Sequence, residues 1–413
     1  MNIVVQKYGG TSVATPELRQ VVVSRVQEAM QKGYRPVLVV SAMGRAGEPY
    51  ATDTLKSLVE EVYPEAPLRE LDMIMQCGEI ISASVLVAHL LNHGIKARTF
   101  TGPQAGLVTD GNYSAAQVVD CRTGKLQQCL EAGEVAVVAG FQGASEDDEI
   151  NTLGRGGSDT TAVILGTALG ADQVEIYTDV DGIATADPRI IEEARTIEKL
   201  TYSEVCQMAY EGAKVIHPFA VEVAMKNRQP VVVKNIYHQG QGTVIASEGD
   251  MGKKDYRVQP DRAVTAIAHT TGLAQIMVEL SEPDTRLELE MFQEVAEAGV
   301  SVDLISVFPT LKFFTVEEDK LEKTEEVLQR LGLNFRTEKG CAKVSVIGVG
   351  MRNIPGVMAQ VVKALKEKNI EILQTADSNI TISLLISEEN MAEAIRTLHE
   401  HFDLEKAGEE ALN

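Results

Sequence analysis

Over residues 1–245 the apolar positions fall into short unbroken runs separated by stretches of helical periodicity. The runs at 2–6, 36–41, 96–100, 135–139, 174–177 and 231–235 are rich in β-branched residues and predict strands. Apolar spacings of three and four predict helices near 16–32, 68–93, 114–131, 160–169 and 217–227. Strands apolar on both faces that alternate with helices predict an α/β fold, a mainly parallel sheet sandwiched by helices. Ligands in such sheets bind beyond the carboxyl ends of the strands. The loops that follow the runs are therefore where chemistry is expected.

The pattern changes after residue 246. The stretch 247–262 is polar and glycine-containing and reads as a linker. Beyond it, Gly299-Val300-Ser301-Val302 lines up with Asn369-Ile370-Glu371-Ile372, 70 residues later. The same offset carries Phe314-Thr315-Val316 onto Leu384-Leu385-Ile386, and Leu321 and Leu328 onto Met391 and Leu398. Each copy reads strand, helix, strand, strand, helix, a small α+β unit with helices on one face of an antiparallel sheet. The expected division is 1–246, a linker at 247–262, and two repeats at 263–338 and 339–413. One repeat has little core of its own, so the two should pack together in a role of binding and assembly.

Charge narrows the function. The chain of 413 residues carries 38 basic and 60 acidic side chains, a net charge of -22. That argues against nucleic acid and anionic membrane as partners, and requires any phosphate site to concentrate its cations locally. The five cysteines are scattered without a CxxC pair and read as reduced thiols. No unbroken apolar run reaches the roughly 18 residues of a bilayer span, and the chain opens straight into a strand, which predicts a cytoplasmic protein.

The loop Gly154-Arg155-Gly156-Gly157-Ser158-Asp159-Thr160-Thr161 offers the densest chemistry. Its glycines let backbone approach a ligand, Arg155 supplies a planar fork of donors for carboxylate or phosphate, and Ser158 or Asp159 can cap the following helix. A second glycine turn, Lys7-Tyr8-Gly9-Gly10-Thr11-Ser12, closes the first strand, with Lys7 as a point charge suited to phosphate. A third loop, Tyr177-Thr178-Asp179-Val180-Asp181-Gly182 with Thr185-Ala186-Asp187-Pro188-Arg189, reads by itself as a surface turn. No GxxxxGK[ST] and no HRD or DFG set occurs, which excludes the P-loop and protein-kinase machines. His89 and His93 lack a third ligand nearby, so no metal site is expected from the protein. His217, before Pro218, reads as a turn residue.

Together these motifs, with Ser41-Ala42-Met43-Gly44, Gly78-Glu79 and Gly140-Phe141-Gln142-Gly143, resemble the aspartate kinases of the amino-acid kinase fold. The resemblance covers essentially the whole chain, and the repeat matches the paired ACT domains that end the monofunctional bacterial members. It implies transfer of the γ-phosphoryl of MgATP to the β-carboxylate of L-aspartate, the first step toward lysine, diaminopimelate, threonine and methionine. It assigns catalysis to Lys7, Arg155 and Asp159, with Asp159 orienting Lys7. It assigns ATP to Lys7, Tyr8, Gly9, Gly10, Thr178, Asp179, Ala184, Asp187, Arg189 and Lys214, with Mg²⁺ bridging the phosphates. Aspartate falls to Ser41, Thr52, Glu79, Arg155 and Ser158, with Glu79 on the amino group and Arg155 on a carboxylate. A regulatory amino acid (lysine, threonine or diaminopimelate) falls to the repeats, with Asp303 and Ser306 as contacts, and a homodimer is implied through them. The chain departs from the family in the seven residues 45–51 ahead of Thr52. It departs again at Ser281-Glu282-Pro283-Asp284-Thr285, which lacks the Pro-Gly that the second repeat keeps as Pro355-Gly356. The alternatives are a kinase of the same fold acting on another carboxylate, a catalytically silent amino-acid sensor and a nicotinamide dehydrogenase.

Overall fold

The structure is a computed structural model that describes residues 1–213, 215–247, 249, 263–349, 351 and 354–406. It divides into two compact units, one built on Met1–Ile183 and Thr196–Ala209 and continuing from Val215, the other on Ala184–Arg195, Tyr210–Ala213 and the C-terminal part of the chain.

The strands of the first unit are β1 (Ile3–Tyr8), β2 (Arg35–Val40), β3 (Ala97–Phe100), β4 (Leu107–Thr109), β5 (Val118–Cys121), β6 (Val135–Ala139), β7 (Gln142–Ala144), β8 (Ile150–Thr152), β9 (Gln173–Thr178), β10 (Lys199–Thr201), β11 (Val231–Asn235) and β12 (Thr243–Ala246). Eight of them form a sheet in the order β10-β12-β11-β9-β1-β2-β6-β3, with every pairing parallel except β11 with β12. All six strands expected from the apolar runs are in it. Alternate residues Tyr8, Leu38, Val40, Val135, Val137 and Ala139 pack on Val22, Val23 and Val26 of the helix Pro16–Gln31 and on Leu86 and Leu90 of Cys77–Asn92. The intervening residues face the other way, toward the helix Gly157–Leu169. A sheet covered on both faces needs apolar side chains at successive positions, which is why its strands stand out as unbroken runs.

Two helix expectations change. The segment 114–131 is β5 followed by the helix Gly124–Glu131, not one helix. The Asp110 carboxylate accepts from the amides of Asn112 and Gln117, fixing a turn that delivers the β-branched pair Val118 and Val119 to β4. With β7 and β8 they make a small sheet, β5-β4-β7-β8, that the hydrophobic pattern did not announce. The segment 68–93 is the helices Leu68–Met75 and Cys77–Asn92, joined through Gln76, whose own backbone is right-handed helical. This 25-residue stretch is long and apolar enough by composition to cross a bilayer, although polar residues interrupt its apolar run. Here it is two successive helices, with Asp72 buried on the first and Glu79 on the second.

The second unit has one sheet of β13 (Ala266–Glu279), β14 (Asp303–Val307), β15 (Leu311–Glu317), β16 (Asn334–Ile347), β17 (Gln374–Asp377) and β18 (Thr381–Ser387), in the order β14-β15-β13-β16-β18-β17. The helices Thr285–Glu297 and Leu321–Arg330 cover a core of Ile276, Met291, Phe314 and Leu328. Val357–Glu367 and Met391–His401 cover a second core of Val344, Val361, Leu384 and Leu398. Each repeat thus has the expected element order, but β13 and β16, 14 residues each, run through both halves. The division expected at 338/339 falls inside β16. The segment Ala184–Arg195 also belongs to this unit: Thr185 O accepts from Ile267 N at 2.8 Å, and Ala186 and Ile191 share the second core. Apart from Ser247 and Gly249, the expected linker lies outside the described residues.

Candidate active site

β1, β2 and β6 lie side by side, and each ends in a turn that needs glycine. After β1 the chain enters a short helix at Gly10, where an added Cβ would stand 2.2 Å from Ala42 O. After β2, Gly44 adopts φ +92° and its amide donates to Gly10 O at 3.2 Å. After β6, a Cβ on Gly140 would lie 2.8 Å from Ser158 Oγ. These close approaches draw the turns at 9–10, 41–44 and 140–143 and the start of the helix Gly157–Leu169 to one end of the sheet.

Lys7 projects from β1 on the face opposite Tyr8, toward that helix, and its Nζ lies 2.7 Å from Asp159 Oδ1. Asp159 Oδ2 accepts from His217 N at 3.4 Å. The helix is not capped by Ser158 or Asp159, contrary to expectation: its N-cap is Gly156 at φ +71°, without a side-chain cap. Ser158 and Asp159 sit inside the first turn and are buried, free to face the neighbouring strands. Only glycine fits at 156, since a Cβ there would meet His217 Cγ at 2.1 Å. His217 is thus the packing partner of the turn and the N-cap residue of Pro218–Asn227. Arg155 is exposed between Gly154 and Gly156, both at φ +71°.

Glu79 is buried in the helix Cys77–Asn92, and its Oε1 accepts from Ala42 N at 3.1 Å. Among the described residues its buried Oε2 has no hydrogen-bond partner, an acceptor left open beside the β2 turn. Burial pushes this carboxyl up to about 8, outweighing the Ala42 amide that stabilises the ionised form. Gly78 allows the helix this close, since a Cβ there would lie 2.7 Å from Ala42 Cβ and 2.8 Å from Tyr50 O. Ser41 donates its amide to Tyr8 O at 3.1 Å, and Thr52 opens the helix Thr52–Glu60 as its first residue, behind the N-cap Ala51.

Thr178 ends β9, next to β1, and its hydroxyl donates to Asp179 Oδ1 at 3.2 Å. Asp181 accepts from Asn235 Nδ2 at 2.8 Å, tying this loop to β11. Ala184, Asp187 and Arg189 fall in the second unit. There the Asp187 carboxylate holds Arg189 at 2.6 Å, and that guanidinium keeps Asp187 below the usual carboxylate range. Lys214 lies outside the described residues. Asp303 pairs with Lys343 at 2.5 Å, and Ser306 Oγ accepts from Gln374 Nε2 at 3.0 Å. Sequence reasoning missed Asp72, whose carboxylate organises the root of the 154–156 turn. A lone acid on an amphipathic helix gives no signal.

A mainly parallel sheet with glycine turns and a Lys–Asp pair gathered at one end is the arrangement of an anion-binding α/β site, and comparison with known proteins supplies its class. Residues 2–235 match the amino acid kinase family and residues 336–400 match the ACT domain. Aspartokinase 1 of Bacillus subtilis is 41% identical over 408 residues, covering 98% of this chain and 100% of that protein. The aspartokinase of Mycobacterium bovis is 40% identical over 418 residues, covering 98% and 97%. The crystal structure of E. coli aspartokinase III in complex with aspartate and ADP aligns with TM-score 0.75 at 25% identity, covering 97% of this chain and 99% of that one. The chain belongs to the aspartokinases.

Proposed function

We propose that this protein transfers the γ-phosphoryl group of ATP to the β-carboxylate of L-aspartate. One observation carries the reading: Lys7 and Asp159, from two glycine turns far apart in sequence, meet at 2.7 Å at the end of the sheet. A β-carboxylate oxygen attacks the γ-phosphorus in line, the bond to the β,γ-bridging oxygen breaks, and ADP leaves with 4-phosphoaspartate as the other product. The nucleophile, with a reference pKa of about 3.9, is already ionised at neutral pH, so no general base is required. The barrier is repulsion between anions and charge on the transferring group, which positioning and fixed cations lower.

In this reading Lys7 meets the phosphoryl charge and Asp159 holds the ammonium in place. Arg155 receives a substrate carboxylate, and the open Oε2 of Glu79 receives the substrate ammonium. Ser41, Thr52 and Ser158 complete the aspartate side. Tyr8, the Gly9–Gly10 backbone, Thr178, Asp179 and Lys214 hold the nucleotide. Mg²⁺ on the ATP phosphates would supply further charge neutralisation. The C-terminal repeats bind an end-product amino acid (lysine, threonine or diaminopimelate) with Asp303 and Ser306 in contact, in a cytoplasmic homodimer assembled through them. The enzyme then serves the first step toward lysine, threonine and methionine.

The test is ADP release with aspartate, glutamate and acetylglutamate, with the acyl phosphate trapped as a hydroxamate. Turnover restricted to aspartate, inhibited by one of the three end products, is expected; turnover on glutamate instead would overturn the substrate assignment.

A further inference from the structure

Asp72 is fully buried on the helix Leu68–Met75. Among the described residues no basic side chain pairs with it, so its carboxylate depends on hydrogen-bond donors to remain inside the protein. It has four, all at 2.8 Å: Oδ2 accepts from the amides of Ser114 and Thr152, and Oδ1 accepts from their two hydroxyls. One carboxylate oxygen thus takes both amides and the other both hydroxyls, and one side chain clamps two separate segments.

Both segments lie at the root of the turn that carries Arg155. Thr152 ends β8, two residues before Gly154, and its carbonyl accepts from Ala116 N at 3.0 Å. Ser114, held at φ +63°, places its carbonyl oxygen 3.2 Å from where a Cβ on Gly154 would stand. Its left-handed backbone is an unfavourable conformation for serine, sustained by the two bonds to Asp72. On the other side, Glu79 follows Asp72 by seven residues. At 3.6 residues per turn that is two turns on, about 10 Å along the axis and within roughly 20° of the same face. Gln76, between them, accepts through its carbonyl from Gln142 Nε2 at 3.1 Å, which ties the junction of the two helices to β7.

We propose that Asp72 is a positioning residue for aspartate binding: through Thr152 and Ser114 it sets the Arg155 turn in register with Glu79, which lies on the helix joined to its own through Gln76. This rests on the reading above, in which Arg155 and Glu79 hold opposite ends of one small substrate. That substrate makes the spacing of the two side chains critical, because a displacement of about 1 Å can cost about 10² in rate. Neither of the residues that Asp72 holds, Ser114 and Thr152, is among those assigned to ATP.

The clamp's geometry makes one substitution informative. In Asp72→Asn the amide oxygen can accept from the two backbone amides, and the amide nitrogen can donate to the two hydroxyls, which then act as acceptors. All four contacts survive without the negative charge. Asp72→Ala loses all four, and Thr152→Val loses one.

The experiment is steady-state ADP release by the full-length protein, with KM measured separately for aspartate and ATP. Asp72→Ala should raise KM for aspartate by about 10- to 100-fold and leave KM for ATP within about threefold. Asp72→Asn should stay within about threefold of the parent for both. Should Asp72→Ala fail to fold, Thr152→Val carries the test, with an expected rise of about three- to tenfold for aspartate alone. An unchanged aspartate KM in Asp72→Ala or Thr152→Val, an equal rise for both substrates, or an Asp72→Asn enzyme as impaired as Asp72→Ala would overturn the proposal. The parent enzyme is the control for the underlying reading: no turnover of aspartate there refutes the function itself, whereas normal turnover with an insensitive Asp72→Ala refutes only the clamp.

Discussion

The Lys7 ammonium stands 2.7 Å from Asp159 Oδ1, with only 14% and 11% of the two side chains exposed. The pairing fixes the direction of a flexible cation that would otherwise sample several rotamers. It also means that Lys7 shares its charge with Asp159 before any phosphate arrives. Lys7→Ala should therefore lower kcat by about 10²- to 10³-fold, the usual loss on removing one electrostatic donor. Asp159→Asn should lose less, since the amide keeps the shape of the site and leaves Lys7 present. Steady-state ADP release checks both; equal losses would mean that Asp159 does more than orient Lys7.

Glu79 gives the site a pH dependence of known sign. The unfolded chain ionises this residue near its ordinary 4.5, whereas burial holds the proton in the folded protein up to about 8. Between those values the folded state binds more protons, so this group's contribution to stability falls as pH rises. A substrate ammonium selects the ionised form, so KM for aspartate should fall as pH rises toward about 8. Glu79→Gln should flatten the stability trend and raise KM for aspartate at every pH. Thermal unfolding and KM profiles from about pH 6 to 9 test the two halves separately.

Gly10 is required by space rather than by backbone angle. A methyl group there would stand 2.2 Å from Ala42 O and 3.0 Å from Gly44 O, both backbone atoms of the β2 turn. Gly10→Ala must push that turn away from β1, and overpacking of this kind costs about 1–3 kcal/mol. The same shift carries Ala42 N off Glu79. The expected result is a lower Tm together with a raised KM for aspartate.

In the second unit, Lys343 is buried between Glu211 at 2.9 Å and Asp303 at 2.5 Å. Burial by itself lowers the Lys343 pKa, but the two carboxylates outweigh it and leave it raised. The pairing therefore stabilises the unit below the ordinary lysine pKa, a contribution lost only above the raised value. Lys343→Met should destabilise the unit by about 3–5 kcal/mol, the usual cost of removing one partner of a buried pair. Asp303 is 59% exposed, so Asp303→Ala should cost about 1 kcal/mol or less while weakening end-product inhibition. Denaturant unfolding and inhibition by lysine, threonine and diaminopimelate distinguish a structural acid from a ligand contact.

The sequence by itself determined the central sheet and the two glycine turns. Strands buried on both faces must be written as unbroken apolar runs, and turn positions where an added Cβ would meet a neighbouring group within 3 Å, as at Gly10 and Gly156, must be glycine. Val135–Ala139 and Val231–Asn235 were therefore readable to the residue. The repeat was readable for a similar reason, since each copy must supply its own core. The Lys7–Asp159 pairing was implied by the family resemblance and not by periodicity; only the tertiary structure decided that Gly156 and not Ser158 begins the helix, and that β13 and β16 run through both repeats. It alone decided that Ala184–Arg195 belongs with the second unit and that Asp72 holds the Arg155 turn. Pairings across long sequence separations depend on which side chains a chain reversal brings within about 3 Å, and local periodicity carries no trace of that distance.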